Sequence, residues 1–156
     1  MLGMTQRSAV LAALLGSAAL AVGCSTPTAS TDYDFARVAG VILPHASFAS
    51  RVLVAPDSVR AGVPFTVTVS SFGSTTCTRA DGATLNVVGV LATIAVWDRE
   101  QVEGACTDDL RQFPRDVSVQ LPTAGRATIR VQGRAYPAGA SGRDSLVVVE
   151  KEIVVR

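Results

Sequence analysis

Three runs in which apolar and polar residues strictly alternate constrain this chain more than any other feature. Phe65, Val67 and Val69 alternate with Thr66, Thr68 and Ser70; Val117, Val119 and Leu121 with Ser118 and Gln120; Ala127, Ile129 and Val131 with Thr128, Arg130 and Gln132. A period of two sends one set of side chains to each face of an extended chain, so each run reads as a half-buried strand with one wet side. A fourth stretch, residues 84–97, is apolar almost throughout. Its Val87, Val88, Val90, Thr93, Ile94 and Val96 are β-branched, which favours strand over helix, and its length requires a bend, for which Gly89 is the natural place.

Turn signals punctuate these runs. Ala61 and Gly62 precede the first, Asp81 and Gly82 form a hairpin signal, residues 122–125 join the second and third runs as a hairpin, and the Gly-rich residues 137–142 turn the chain again. Residues 52–55 read as a short strand stopped by Pro56, part of 33–43 is extended, and 146–155 supply a closing strand. Seven or eight short strands with no convincing helix predict an all-β fold of two packed sheets.

The spacing Pro56, Val59, Ala61, Gly62 ahead of an alternating strand resembles the opening two strands of bacterial immunoglobulin-like and fibronectin type III-like domains. The resemblance runs from Val52 to the end of the chain and implies an immunoglobulin-like β-sandwich, without implying a ligand. It departs in one respect. Antibody-type domains place Trp soon after the first Cys of an inter-sheet bond, whereas Trp97 follows Cys77 late and Cys106 comes soon after it. A bond between these cysteines would therefore staple loops.

The N-terminal residues have a different character. Arg7, an apolar stretch over 9–20 and small residues up to Cys24 follow the tripartite plan of a secretory signal peptide, and the apolar stretch is shorter than the roughly 20 residues that span a bilayer. Ala21, Val22, Gly23 and Cys24 resemble the lipobox of bacterial lipoproteins, with Leu20 one place further from the cysteine than the family's leucine. The resemblance implies a diacylglyceryl group on the Cys24 thiol, cleavage before Cys24, and acylation of the freed amine, with palmitate expected. Ser25 fits export to an outer membrane where the organism has one. An ordinary signal peptide followed by an unmodified cysteine is the other reading. The expected organisation is a lipoprotein signal peptide over residues 1–23, a lipidated Cys24 with a flexible tether over 24–34, and the sandwich over 35–156.

Charge and cysteine count bound the function. Loss of Arg7 on cleavage takes the Lys and Arg count from 14 to 13, against 13 Asp and Glu. The arginines are scattered along the sequence, so no basic footprint for nucleic acid is expected. With Cys24 taken by lipid, Cys77 and Cys106 remain, and two thiols in an oxidising compartment suggest one disulfide. A metal pair or two free thiols are the alternatives, the first lacking the further ligands of a tetrahedral site.

The chemistry-bearing motifs are few. His45 lies between Pro44 and Ala46 without a serine elbow or a zinc-protease motif, and reads as a loop histidine. Residues 98–114 form a polar stretch in which Asp98, Glu100, Glu103, Asp108 and Asp109 are interspersed with Arg99 and Arg111. It reads as a solvated loop pinned by Cys106, without the ordered spacing of a calcium loop. Trp97 reads as packing at a strand end.

The expectation is a non-enzymatic, lipid-anchored cell-envelope protein acting as an interaction or structural module. Its partners are the membrane and another envelope protein, with no cofactor, metal or nucleic acid. The alternative is a small-molecule, glycan or calcium binder using Trp97, Asp98, Glu100, Glu103, Asp108 and Asp109.

Overall fold

The computed structural model describes residues 34–135 and 145–156. The signal, lipidation and tether expectations at residues 1–33, and the turn expected at 137–142, lie outside the described residues. The strands are β1 (Phe35–Ala39), β2 (Leu53–Val54), β3 (Ser58–Val59), β4 (Phe65–Gly73), β5 (Thr78–Val88), β6 (Leu91–Gln101), β7 (Arg111–Val119), β8 (Gly125–Arg134) and β9 (Leu146–Val155), with one helix, α1 (Ala46–Val52). They form two sheets. In the larger, β6 pairs with β5 along one edge and with β8 and then β1 along the other, and the sheet continues through β9 to β3. The smaller has the order β2-β4-β7.

The core lies between the sheets and is built by the alternating residues. Val67 and Val69 of β4 and Val119 of β7 meet Ala92, Ile94 and Val96 of β6, Ile129 and Val131 of β8, and Ile153 of β9, all buried in one cluster. The all-β, two-sheet expectation holds, with nine strands among the described residues against the seven or eight expected. Two pairings are parallel, β6 with β8 and β3 with β9.

Three expectations are corrected. Asp81 and Gly82 do not turn the chain: they form a bulge within β5, where Ala80 pairs with Asp98 and Ala83 with Val96, so two residues oppose Trp97 alone. The turn falls instead on Gly89 and Val90, between the paired Val88 and Leu91, with Gly89 at φ 59°. Both glycines take positive φ, so both sites satisfy local turn chemistry, and it is the register with β6 that assigns one to a bulge and the other to the turn. Secondly, the runs around Val119 and Ile129 do not form a hairpin. β7 pairs with β4 and β8 with β6 and β9, so residues 120–124 cross from one sheet to the other. Alternation says which face is inward and leaves the pairing partner open.

Thirdly, a helix exists. α1 carries Phe48 against Phe72 in an edge-to-face contact with centroids 6.1 Å apart, and buries Val52 four residues on. Gln112, opposite Phe72 on β7, donates to the Arg51 carbonyl at the end of this helix and to Ser70 Oγ. Ser70 and Phe72, which the period-two pattern turns to solvent, are thereby buried.

One short segment stitches the sheets together. The Gly40 amide donates to the Val96 carbonyl, its carbonyl accepts from Arg134, and Val41 bridges Arg134 of the larger sheet and Phe72 of the smaller. Close approach here requires glycine: a Cβ at Gly133 would stand 2.3 Å from the Gly40 oxygen.

Candidate functional site

At the end of the fold where β4 passes to β5 and β6 to β7, two connections are bound to each other. Cys77, buried just ahead of β5, and Cys106, exposed in the loop 102–110, stand at disulfide distance with their Cα atoms 5.5 Å apart. Polar contacts extend the clamp. Asp109 accepts from the Thr107 and Thr75 hydroxyls and, at 3.1 Å, from the Thr75 amide. Thr107 meets Ser74 Oγ at 2.9 Å, and its amide donates to Thr76 Oγ1 at 3.0 Å. These hydrogen bonds, led by that from Thr107 and followed by those from Thr75, stabilise the carboxylate and hold the Asp109 pKa down to about 2. The loop is thus fixed to the 74–77 turn by one covalent and several polar ties, yet its residues are exposed.

Beneath it lies a cleft of about 300 Å³, lined among others by Phe72, Cys77, Glu100, Cys106, Leu110 and Arg134. Arg134, largely buried at the end of β8, donates to the Ala39 carbonyl at 2.7 Å and is ion-paired to Glu100. The cleft is therefore lined by an ion pair, Arg134 with Glu100, and by apolar side chains, the buried Phe72 and the exposed Leu110. The volume is at the small end for ligand pockets.

The acids expected to share one loop are separated by the fold, because β6 continues past Trp97 to Gln101. Asp98 is a correction in full. It points into the sandwich, is wholly buried, accepts from Ser71 Oγ at 2.8 Å and is ion-paired to Arg115 of the opposite sheet. Arg115 also donates to Ser71 Oγ at 3.0 Å and to the Trp97 carbonyl at 2.9 Å. Burial pushes the Asp98 pKa up, with Arg115 opposing the shift. Glu100 reaches the cleft, Asp108 and Asp109 lie on its rim, and Glu103 is exposed on the loop, its carbonyl accepting from Gln101.

Trp97 faces out of the larger sheet. Its Nε1 donates to Thr84 Oγ1 at 3.2 Å and the Arg37 guanidinium lies 4.6 Å from the ring centroid. Among the described residues no three of His, Cys, Asp and Glu are grouped to hold a metal ion.

His45 stands at the N-cap of α1 with Nδ1 3.2 Å from Ser47 Oγ, on the surface. No carboxylate contact orients the ring among the described residues, so the pair lacks the third member of a hydrolytic arrangement. The Arg115–Asp98 and Arg134–Glu100 pairs had no signal in the sequence, where partners lie 17 and 34 residues apart. No family model, curated protein or solved structure matches this chain.

Proposed function

We propose that the chain is a lipid-anchored module of the bacterial cell envelope that works by contact rather than catalysis, with the clamped loop 102–110 as its contact face. The observation that carries this reading is the combination of exposure with immobilisation: a loop already ordered by the Cys77–Cys106 bond and by Asp109 loses little entropy on binding. Cys24, with its lipobox-like surroundings, supports the anchor, and two facing sheets support kinship with immunoglobulin-like domains. The parallel β6/β8 pair departs from the antiparallel sheets of that group. The dispersal of Asp98 and Glu100 into internal ion pairs weighs against the calcium reading.

Photo-crosslinking in intact cells tests the contact face. A crosslinker at Leu110 or Val102, both half or more exposed on the loop, is expected to capture one discrete envelope protein; at Val63, at the opposite end of β4, it should not. Equal capture from all three positions, or from none, would overturn the assignment. Cys24→Ser should abolish palmitate labelling and move the protein out of the membrane fraction. Unchanged labelling and fractionation would remove the anchor.

A further inference from the structure

The arginines that are scattered in sequence are gathered by strand register. Arg99 of β6 is paired with Arg37 of β1 on one side and with Arg79 of β5 on the other, so three guanidinium groups stand in one row across three strands. Two aromatic rings flank the row on the same face: Arg37 lies over Trp97, and Arg79 lies 4.1 Å from the centroid of Phe35. Like charges placed directly opposite one another destabilise a sheet, and the rings offset only part of that cost.

Asp81, released sideways by the bulge, pairs with Arg37 at 2.7 Å, and among the described residues neither Arg79 nor Arg99 has an acidic partner. The contrast with the rest of the face is direct, since Arg126 pairs with Glu152 and Arg130 with Glu150. The charge left over is concentrated at the β1 end of the sheet, where the chain arrives from Cys24. Ten residues lie between Cys24 and Phe35, and in any conformation the eleven steps of chain span at most about 40 Å.

We propose that the face bearing Arg37, Arg79 and Arg99, with Phe35 and Trp97, docks on an anionic phospholipid surface. This rests on the reading of Cys24 as a lipid anchor. The anchor brings this end of the sheet to the bilayer, where the arginines meet headgroup phosphates and the amphipathic Trp97 ring suits the interface.

Trp97 is the only tryptophan in the chain and therefore reports on this face. The test takes the processed protein, extracted from membranes, and mixes it with vesicles of phosphatidylcholine alone or with phosphatidylglycerol added, following flotation and acrylamide quenching of Trp97. Flotation with both vesicles is expected, with quenching lowered at least twofold only where phosphatidylglycerol is present. That protection should vanish in 1 M salt, where screening acts over about 3 Å, and in the R79Q/R99Q double variant, while R126Q/R130Q keeps it. If R79Q/R99Q does not fold, the salt and R126Q/R130Q arms decide.

Flotation with both vesicles but equal quenching overturns the docking and leaves the anchor standing. Flotation and Trp97 protection confined to phosphatidylglycerol vesicles support docking without an anchor, and no flotation with either overturns both. Equal protection by soluble polyphosphate without vesicles would assign the row to a soluble polyanion and overturn membrane docking.

Discussion

Arg115 of the smaller sheet and Asp98 of the larger form an ion pair inside the sandwich, tied through Ser71 and the Trp97 carbonyl. Both occupy positions that strand alternation turns inward, beside the apolar cluster and among the buried Ser70 and Ser71. Asp98 Oδ2 and Arg115 Nε have no hydrogen-bond partner among the described residues. A pair desolvated in this way contributes little net stability, but each charge depends on the other.

Removing Arg115 alone leaves Asp98 buried without its cation. R115M is expected to lose about 3–5 kcal/mol in urea denaturation, whereas D98L/R115M, which removes both charges, should recover most of that loss. Equal losses in the single and double variants would show that the unpaired Asp98 charge is not what R115M costs.

Acid stability should carry the signature of Asp109. Its folded-state pKa of about 2 lies below the ordinary 3.8, so the unfolded chain binds the proton more readily in this range. The contribution is present above about pH 4 and lost as pH falls towards 2. D109N should flatten the denaturation midpoint over that window relative to the parent. Asp98 has the opposite sign: its pKa is raised, so its titration takes stability away as pH rises above 3.8. D98N should therefore leave the Asp109 loss in place, which separates the two carboxylates.

The Cys77–Cys106 bond closes a loop with a sequence separation of 29. Chain entropy gives it about 3–4 kcal/mol, so C77A/C106A should lower the unfolding free energy by about that amount. The Asp109 and Thr107 contacts should keep the loop in place at neutral pH, and limited proteolysis should cut the variant within 102–110 more readily than the parent. No change in either measurement would show that the polar ties alone hold the loop.

Gly133 and Gly62 should respond differently to alanine. At Gly133 the new Cβ meets the Gly40 backbone oxygen at 2.3 Å and must force apart the segment that joins the sheets, whereas nothing lies within 4 Å at Gly62. G133A is expected to cost about 1–3 kcal/mol through overpacking. G62A carries only the strain of a positive φ, about 1 kcal/mol. Thermal melts of the two variants, with the order reversed or equal, would disprove the stitch at Gly40.

By itself the sequence determined what depends on a residue and its near neighbours. Alternation around Val67, Val119 and Ile129 settles which side chains face inward, β-branching over 84–97 favours strand over helix there, and Gly82 and Gly89 mark positions of positive φ. The tertiary structure decided what depends on partners far along the chain. It placed β7 and β8 in different sheets, exchanged the bulge and the turn, and covered Ser70 and Phe72 with a helix too short to announce itself by period. It also drew Asp98 away from its neighbours into an ion pair with Arg115, and set Arg37, Arg79 and Arg99 side by side. Burial and charge pairing are properties of distance in space, and a strand's side-chain pattern states its direction without naming the strand that lies beside it.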